Sequence, residues 1–151
     1  MPRVVAEETR TIGAPAQVVY GLLADYRVGH PSILPPAFTD LVVDEGGYGA
    51  GTRIHFNATL LGRCNQLSAI IEEPEPGRVL VERYPDRGML TTFIVDPESD
   101  ECRVTIRTEI EASAMSAFFQ RLIVPRILRR IFRDELRNIE REATRKKPGF
   151  S

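Results

Sequence analysis

The chain has 151 residues, of which 42% are hydrophobic and 27% charged, and its formal net charge is -1. This is globular composition at the length of one ordinary domain, which excludes a disordered chain, and a chain of this length buries about 70% of its unfolded surface without staples. No run approaches the ~20 apolar residues of a membrane-spanning helix, and the near-neutral charge gives no whole-molecule field for nucleic acid.

The first segment, Arg3 to Ile12, is rich in β-branched residues and reads as a strand. Gly13-Ala14-Pro15 stops it, and Pro15 suits the start of a helix, where its missing N–H costs nothing. Val18, Val19, Leu22, Leu23 and Tyr26 then recur at helical spacing, which predicts a short helix ending near Asp25-Tyr26. Pro31, Pro35 and Pro36 forbid a long helix after it, and one short turn around Ser32 to Leu34 is expected. From Thr39 the period changes to two. Strands are predicted at Leu41 to Asp44, Thr52 to Leu61, Cys64 to Glu72, Val79 to Tyr84, Met89 to Val95 and Cys102 to Glu111, separated by turns rich in Gly, Pro and Asp. From Ala114 the period returns to 3.6, and one long amphipathic helix is expected from about Met115 to Arg145, kinked at Pro125.

The short links between strands predict an antiparallel sheet, so the fold class is α+β: a seven-stranded curved sheet wrapped around the last helix, with two short helices between strands 1 and 2, all in one domain over residues 1–151. If Pro125 holds the first half of that helix away from the sheet, a gap opens. Met115, Phe118, Phe119 and Leu122 would line it from the helix, and Phe56, Leu67, Met89, Phe93 and Ile106 from the sheet, with Leu34 and Phe38 closing it. Apolar pockets of this kind hold small molecules. From pattern alone, interdigitation of the same residues into a solid core is favoured, because protein interiors are usually close-packed and pattern shows an apolar face and not a void.

The two histidines are His30 and His55. Asp25 lies near His30 in sequence, and such a pair could act as a base, whereas His55 alternates with the apolar positions of its strand and is expected to face outward. Cys64 and Cys102 are far apart, so neither a disulfide framework nor zinc spacing is present, and a reducing cytoplasm is the simplest reading. The N-terminus lacks the apolar core of a signal peptide. No metal site and no cofactor are expected: the glycines from Gly46 to Gly51 lead into a strand, where a dinucleotide fingerprint opens a helix. Arg121, Arg126, Arg129, Arg130 and Arg133 crowd the last helix. A solvated face with Arg130–Asp134 and Glu142–Lys146 pairs is favoured there over contact with an anionic membrane.

The run Ile12-Gly13-Ala14-Pro15-Ala16-Gln17-Val18-Val19-Tyr20, followed by Leu22-Leu23-Ala24-Asp25-Tyr26, resembles the opening signature of the START-like (SRPBCC) superfamily. That group includes the polyketide cyclase/dehydrase and lipid-transport families and the Bet v 1 type. Gly49-Ala50-Gly51-Thr52-Arg53 resembles the family's Gly-Thr entry to its third strand, and Glu73-Pro74-Glu75-Pro76-Gly77-Arg78 resembles its characteristic turn. The resemblance covers nearly the whole chain and implies a helix-grip fold with an internal cavity. One departure is that many members carry a tryptophan where this chain has His30-Pro31, and this chain has no Trp.

The expected function is therefore binding or transport of a hydrophobic small molecule, of lipid, polyketide or isoprenoid kind, by a monomer or homodimer without nucleic acid. The alternatives are a polyketide aromatase/cyclase or dehydratase, with Tyr84 and His30 as candidate catalytic groups and Tyr20 and Arg83 as further rim candidates, and a protein-interaction module of co-chaperone or antitoxin type. No convergent catalytic set is visible in the sequence.

Overall fold

The computed structural model describes residues 3–114 and 118–145, and of residues 114 and 118–121 the backbone alone. In chain order the elements are β1 (Arg3–Ile12), α1 (Ala16–Ala24), α2 (Gly29–Ile33), β2 (Phe38–Glu45), β3 (Arg53–Leu60), β4 (Arg63–Glu75), β5 (Val79–Tyr84), β6 (Met89–Glu98), β7 (Glu101–Glu111) and α3 (Phe118–Arg145), with single 3₁₀ turns at Pro85–Arg87 and Ala112–Ala114. The seven strands form one antiparallel sheet in the order β1-β7-β6-β5-β4-β3-β2. Neighbouring strands are therefore hairpin partners everywhere except at β1, which pairs with β7 from Arg3 opposite Glu111 to Ile12 opposite Cys102.

Alternation sets the sheet's faces. On β3, Ile54, Phe56 and Ala58 point inward; on β7, Cys102, Val104, Ile106, Thr108 and Ile110 do so. The sheet bends where its ladders slip: register breaks occur in β2 between Thr39 and Val42 and between Val43 and Glu45, and in β4 between Glu72 and Glu75. An extra residue at such a point kinks the strand and increases its twist, which curls the sheet about α3.

Helix α3 buries Leu128, Ile131, Phe132, Leu136, Ile139 and Ala143, a stripe at 3.6-residue spacing. Arg10 and Arg133 anchor it across β1, pairing with Glu140 at 2.6 Å and Glu8 at 3.2 Å. Asn138 Nδ2 donates to the carbonyl of Ile33 at 3.0 Å, tying α3 to α2. On the outer face Asp134 pairs with Arg137, one turn on, and not with Arg130 as the i,i+4 spacing predicts. Glu142 is held by Arg145 at 3.6 Å and Arg141 at 3.9 Å; Lys146 lies outside the described residues. Pro125 stands inside α3, which is assigned as helix on both sides of it.

Helix α1 starts with Pro15 at its cap, extended at φ -62° and ψ 147°, whose carbonyl accepts from the N–H groups of Val18 and Val19. The second short helix begins earlier than the prolines suggest. His30 N–H donates to the Asp25 carbonyl at 2.7 Å, so helical turns resume at Gly29 and end before Leu34.

Candidate functional site

Between the sheet and α3 lies a cavity of about 420 Å³, within the size range of small-molecule sites. Its walls come from β2 to β7, from α2 with the segment after it, and from α3. Of the residues expected to line such a gap, Leu34, Phe38, Phe56, Leu67, Tyr84, Met89 and Phe93 do so. Ile106 is fully buried in the core and is not part of the wall. Leu122 is also not part of it: the side chain is 54% exposed. The helix stripe that faces the cavity is Val124, Leu128, Phe132 and Glu135, and Leu122 sits two residues before it, about 200° round the helix. Met115 lies outside the described residues, as do the side chains of Phe118 and Phe119.

The apolar walls are tied together by aromatic contacts. Phe56 meets Phe38 edge-on at 5.5 Å and Tyr84 at 6.1 Å between ring centroids. Arg63, Asn65 and Arg87 stand at the exposed rim.

The inner end is polar. Glu82 on β5 is 5% exposed and occupies an inward position between Leu80 and Tyr84. Tyr26 donates its hydroxyl to Glu82 Oε2 at 2.8 Å, and Tyr84 donates to Oε1 at 2.8 Å. Burial and the neighbouring Glu82 carboxylate push both phenols well above their ordinary pKa, so they remain donors. His30 is 2% exposed, stacked on Tyr26 at 4.3 Å and edge-on to Phe93 at 5.5 Å. Its Nδ1 lies 2.8 Å from the carbonyl of Leu23. A carbonyl can only accept, so Nδ1 carries a hydrogen. Nε2 lies 3.4 Å from Glu82 Oε2.

The expected Asp25–His30 side-chain pair does not form. The Asp25 carboxylate accepts instead from the N–H groups of Arg27 and Val28, capping the turn before α2. Such local bonding to following amides is the common use of Asp at a turn, and it leaves His30 to Glu82.

Glu135 on α3 completes the cluster. It is 2% exposed and lines the cavity. Burial, and after it the charge of Glu82, raise its pKa well above the carboxylate range, so the group is held neutral. No described residue gives it a hydrogen bond or a counter-charge. In the same cavity wall, Thr91 and Thr108 are spent on one another, their hydroxyls 2.7 Å apart.

The sequence reading missed Glu82, Glu135 and the inward role of Tyr26. The signal was present. Glu82 falls on the inward beat of β5, and Glu135 falls three residues after Phe132 on the apolar stripe of α3. A carboxylate on a buried register is rarely accidental, because burial costs it several kcal/mol, about 3–5 when unpaired.

The other candidates lie elsewhere. Tyr20 bonds Glu73 Oε2 at 2.6 Å, away from the cavity, and Arg83 pairs with Glu72 at 3.0 Å on the outer face. His55 faces outward as expected, paired with Asp44 at 2.8 Å. Cys64 is exposed and Cys102 buried, both as free thiols, and burial pushes the Cys102 thiol up to about 11. No helix among the described residues is long and apolar enough to cross a membrane.

Comparison with solved structures gives the same architecture. The KanY protein superposes with a TM-score of 0.83 at 25% identity, over 95% of this chain and 99% of that one. Zhui aromatase/cyclase from Streptomyces sp. R1128 gives 0.76 at 18% identity, over 96% of each chain. TTHA0849 from Thermus thermophilus gives 0.73 at 24%, over 95% and 98%. A search of curated proteins gave no match. The helix-grip architecture expected from the sequence is thus present, and a family model matches residues 3–144. With that match running from β1 almost to the end of α3, the chain belongs to the polyketide cyclase/dehydrase and lipid transport family.

Proposed function

We propose that the chain binds a hydrophobic small molecule, of lipid, polyketide or isoprenoid kind, in the cavity between sheet and α3. The observation that carries this reading is a 420 Å³ space with apolar walls, closed at one end by a small polar cluster. That is the usual form of a small-molecule site: apolar area supplies affinity and a few polar groups fix orientation. Leu34, Phe38, Phe56, Leu67, Met89, Phe93, Leu128 and Phe132 make the apolar contacts in this reading, and Tyr84 belongs to the orienting end. Gentle purification followed by native mass spectrometry tests it. A recurring bound apolar molecule, displaced by an added apolar probe, is expected. Failure to bind any apolar probe, in a protein that still melts cooperatively, removes the reading.

A second reading, a polyketide aromatase/cyclase or dehydratase, is favoured by one observation. A neutral carboxyl, Glu135, and a histidine–carboxylate contact, His30 with Glu82, line one cavity. Groups pushed apart in protonation are how one site supplies both acid and base, and holding a flexible chain in place supplies rate by proximity. Turnover of a poly-β-keto substrate should fall at least about 100-fold in Glu135→Gln and in His30→Ala. Turnover unchanged in both ends this reading and leaves the binding reading standing.

A further inference from the structure

The inner end of the cavity has an uneven inventory of hydrogen-bonding groups. The Tyr26 and Tyr84 hydroxyls are spent on Glu82, the Thr91 and Thr108 hydroxyls on each other, and His30 Nδ1 on Leu23. A carboxylate accepts about four hydrogen bonds, and Glu82 has three neighbours at its oxygens. The unspent capacity is what remains on Glu82, an acceptor, and the Glu135 carboxyl, which as the neutral acid offers one O–H donor beside its acceptors and as a carboxylate acceptors alone. The charge that faces Glu135 is Glu82 from β5, with Tyr26 and Tyr84 as neutral phenols, and His30 from α2 lines the same cavity. The guanidinium groups of Arg63 and Arg87 stand at the exposed rim. No described cation reaches Glu135, although it is only 2% exposed and turned into the cavity.

We propose that Glu135, backed by Glu82, is the head-group site of the cavity, and that the head group it takes is a protonated amine carried on an apolar body. An ammonium offers three donors and no acceptor, which matches this inventory once Glu135 has given up its proton. It also lies between two carboxyl groups whose mutual repulsion it removes. A carboxylate head meets Glu82 with like charge. A ketone only accepts, so it engages Glu135 alone and leaves the remaining capacity of Glu82 unused. The inference rests on the binding reading above and names its ligand class.

Balance follows from the protonation of the empty site. Glu135 enters as the neutral acid; the amine enters as the cation; Glu135 gives its proton to solvent and ends as a carboxylate paired with the ammonium. One proton is released per ligand bound. Amine affinity therefore rises with pH until Glu135 is ionised in the empty protein or the free amine loses its proton.

The test uses the full chain and three probes of equal length: decylamine, 2-decanone and decanoic acid. Calorimetry in two buffers of different ionisation enthalpy counts protons. Decylamine is expected to bind at least about tenfold more tightly than 2-decanone, the worth of one charge-assisted hydrogen bond, with release of about one proton. Glu135→Gln should lose both the preference and the release. That variant keeps a neutral side chain of the same shape, and the wild-type comparison stands without it. Ketone or acid binding as tightly as the amine, or amine binding without proton release, overturns the head-group inference and leaves the cavity reading intact. No binding of any probe overturns both.

Discussion

Glu135 stands on α3 where helical spacing calls for an apolar side chain, and its protonation carries a stability consequence. The folded state raises its pKa through burial and Glu82, so the folded chain holds a proton that the unfolded chain releases near the ordinary carboxyl range. Stability then falls as pH rises through that interval, because the native state binds more protons. The slope from this one group is at most about 1.4 kcal/mol per pH unit. Glu135→Gln removes it. Urea midpoints from acid to neutral pH should show the variant gaining on the wild type steadily as pH rises; parallel curves would show that Glu135 is not held neutral. The same residue marks a limit of the sequence reading. Helical spacing places it on the apolar stripe, but which partner a buried carboxyl finds depends on Glu82, 53 positions earlier by residue number, and no local pattern carries that pairing.

At the scale of elements, the turns decide more than the strands. Leu61 and Gly62, which close the β3–β4 hairpin, both have positive φ, 54° and 74°. Two left-handed residues in succession are what a tight primed turn requires, and a leucine there is strained. Leu61→Asn should stabilise the chain by about 1 kcal/mol, read as a higher denaturant midpoint at unchanged slope. A lower midpoint would place the leucine's value in packing instead. Between the helices, a Cβ on Gly29 would lie 2.4 Å from the backbone oxygen of Leu22. Gly29→Ala should therefore cost about 1–3 kcal/mol as α2 shifts from α1, measured in the same way, and His30 should lose its contact with Glu82. Strand boundaries were legible where turns announced themselves: Val79 to Tyr84 is as predicted. They were not legible where a proline sits inside a ladder. Pro74 and Pro97 both read as strand ends, yet β4 runs to Glu75 and β6 to Glu98. Pro74 falls at the β4–β5 register break, where an N–H is not needed.

For the whole molecule, the alternation and the terminal 3.6 period were enough to give the α+β class and the sheet-on-helix arrangement. The cavity was not in that pattern. Apolar residues at the right faces fit a filled interior equally well, and only the three-dimensional path of α3 shows that Val124, Leu128 and Phe132 face a space while Leu122 faces solvent. The order of the sheet has one more consequence. Every strand from β3 to β7 meets its neighbour as soon as the next hairpin is made, but β1 pairs with β7, roughly a hundred residues later. Chains are made from the N-terminus, at about 5–20 residues per second. On the ribosome, β1 therefore waits several seconds for its partner strand to be made. Its Arg3, Glu7, Glu8 and Arg10 are charges of the kind that discourages pairing onto a lone strand, and in the finished fold they form ion pairs with Glu109, Arg107, Arg133 and Glu140.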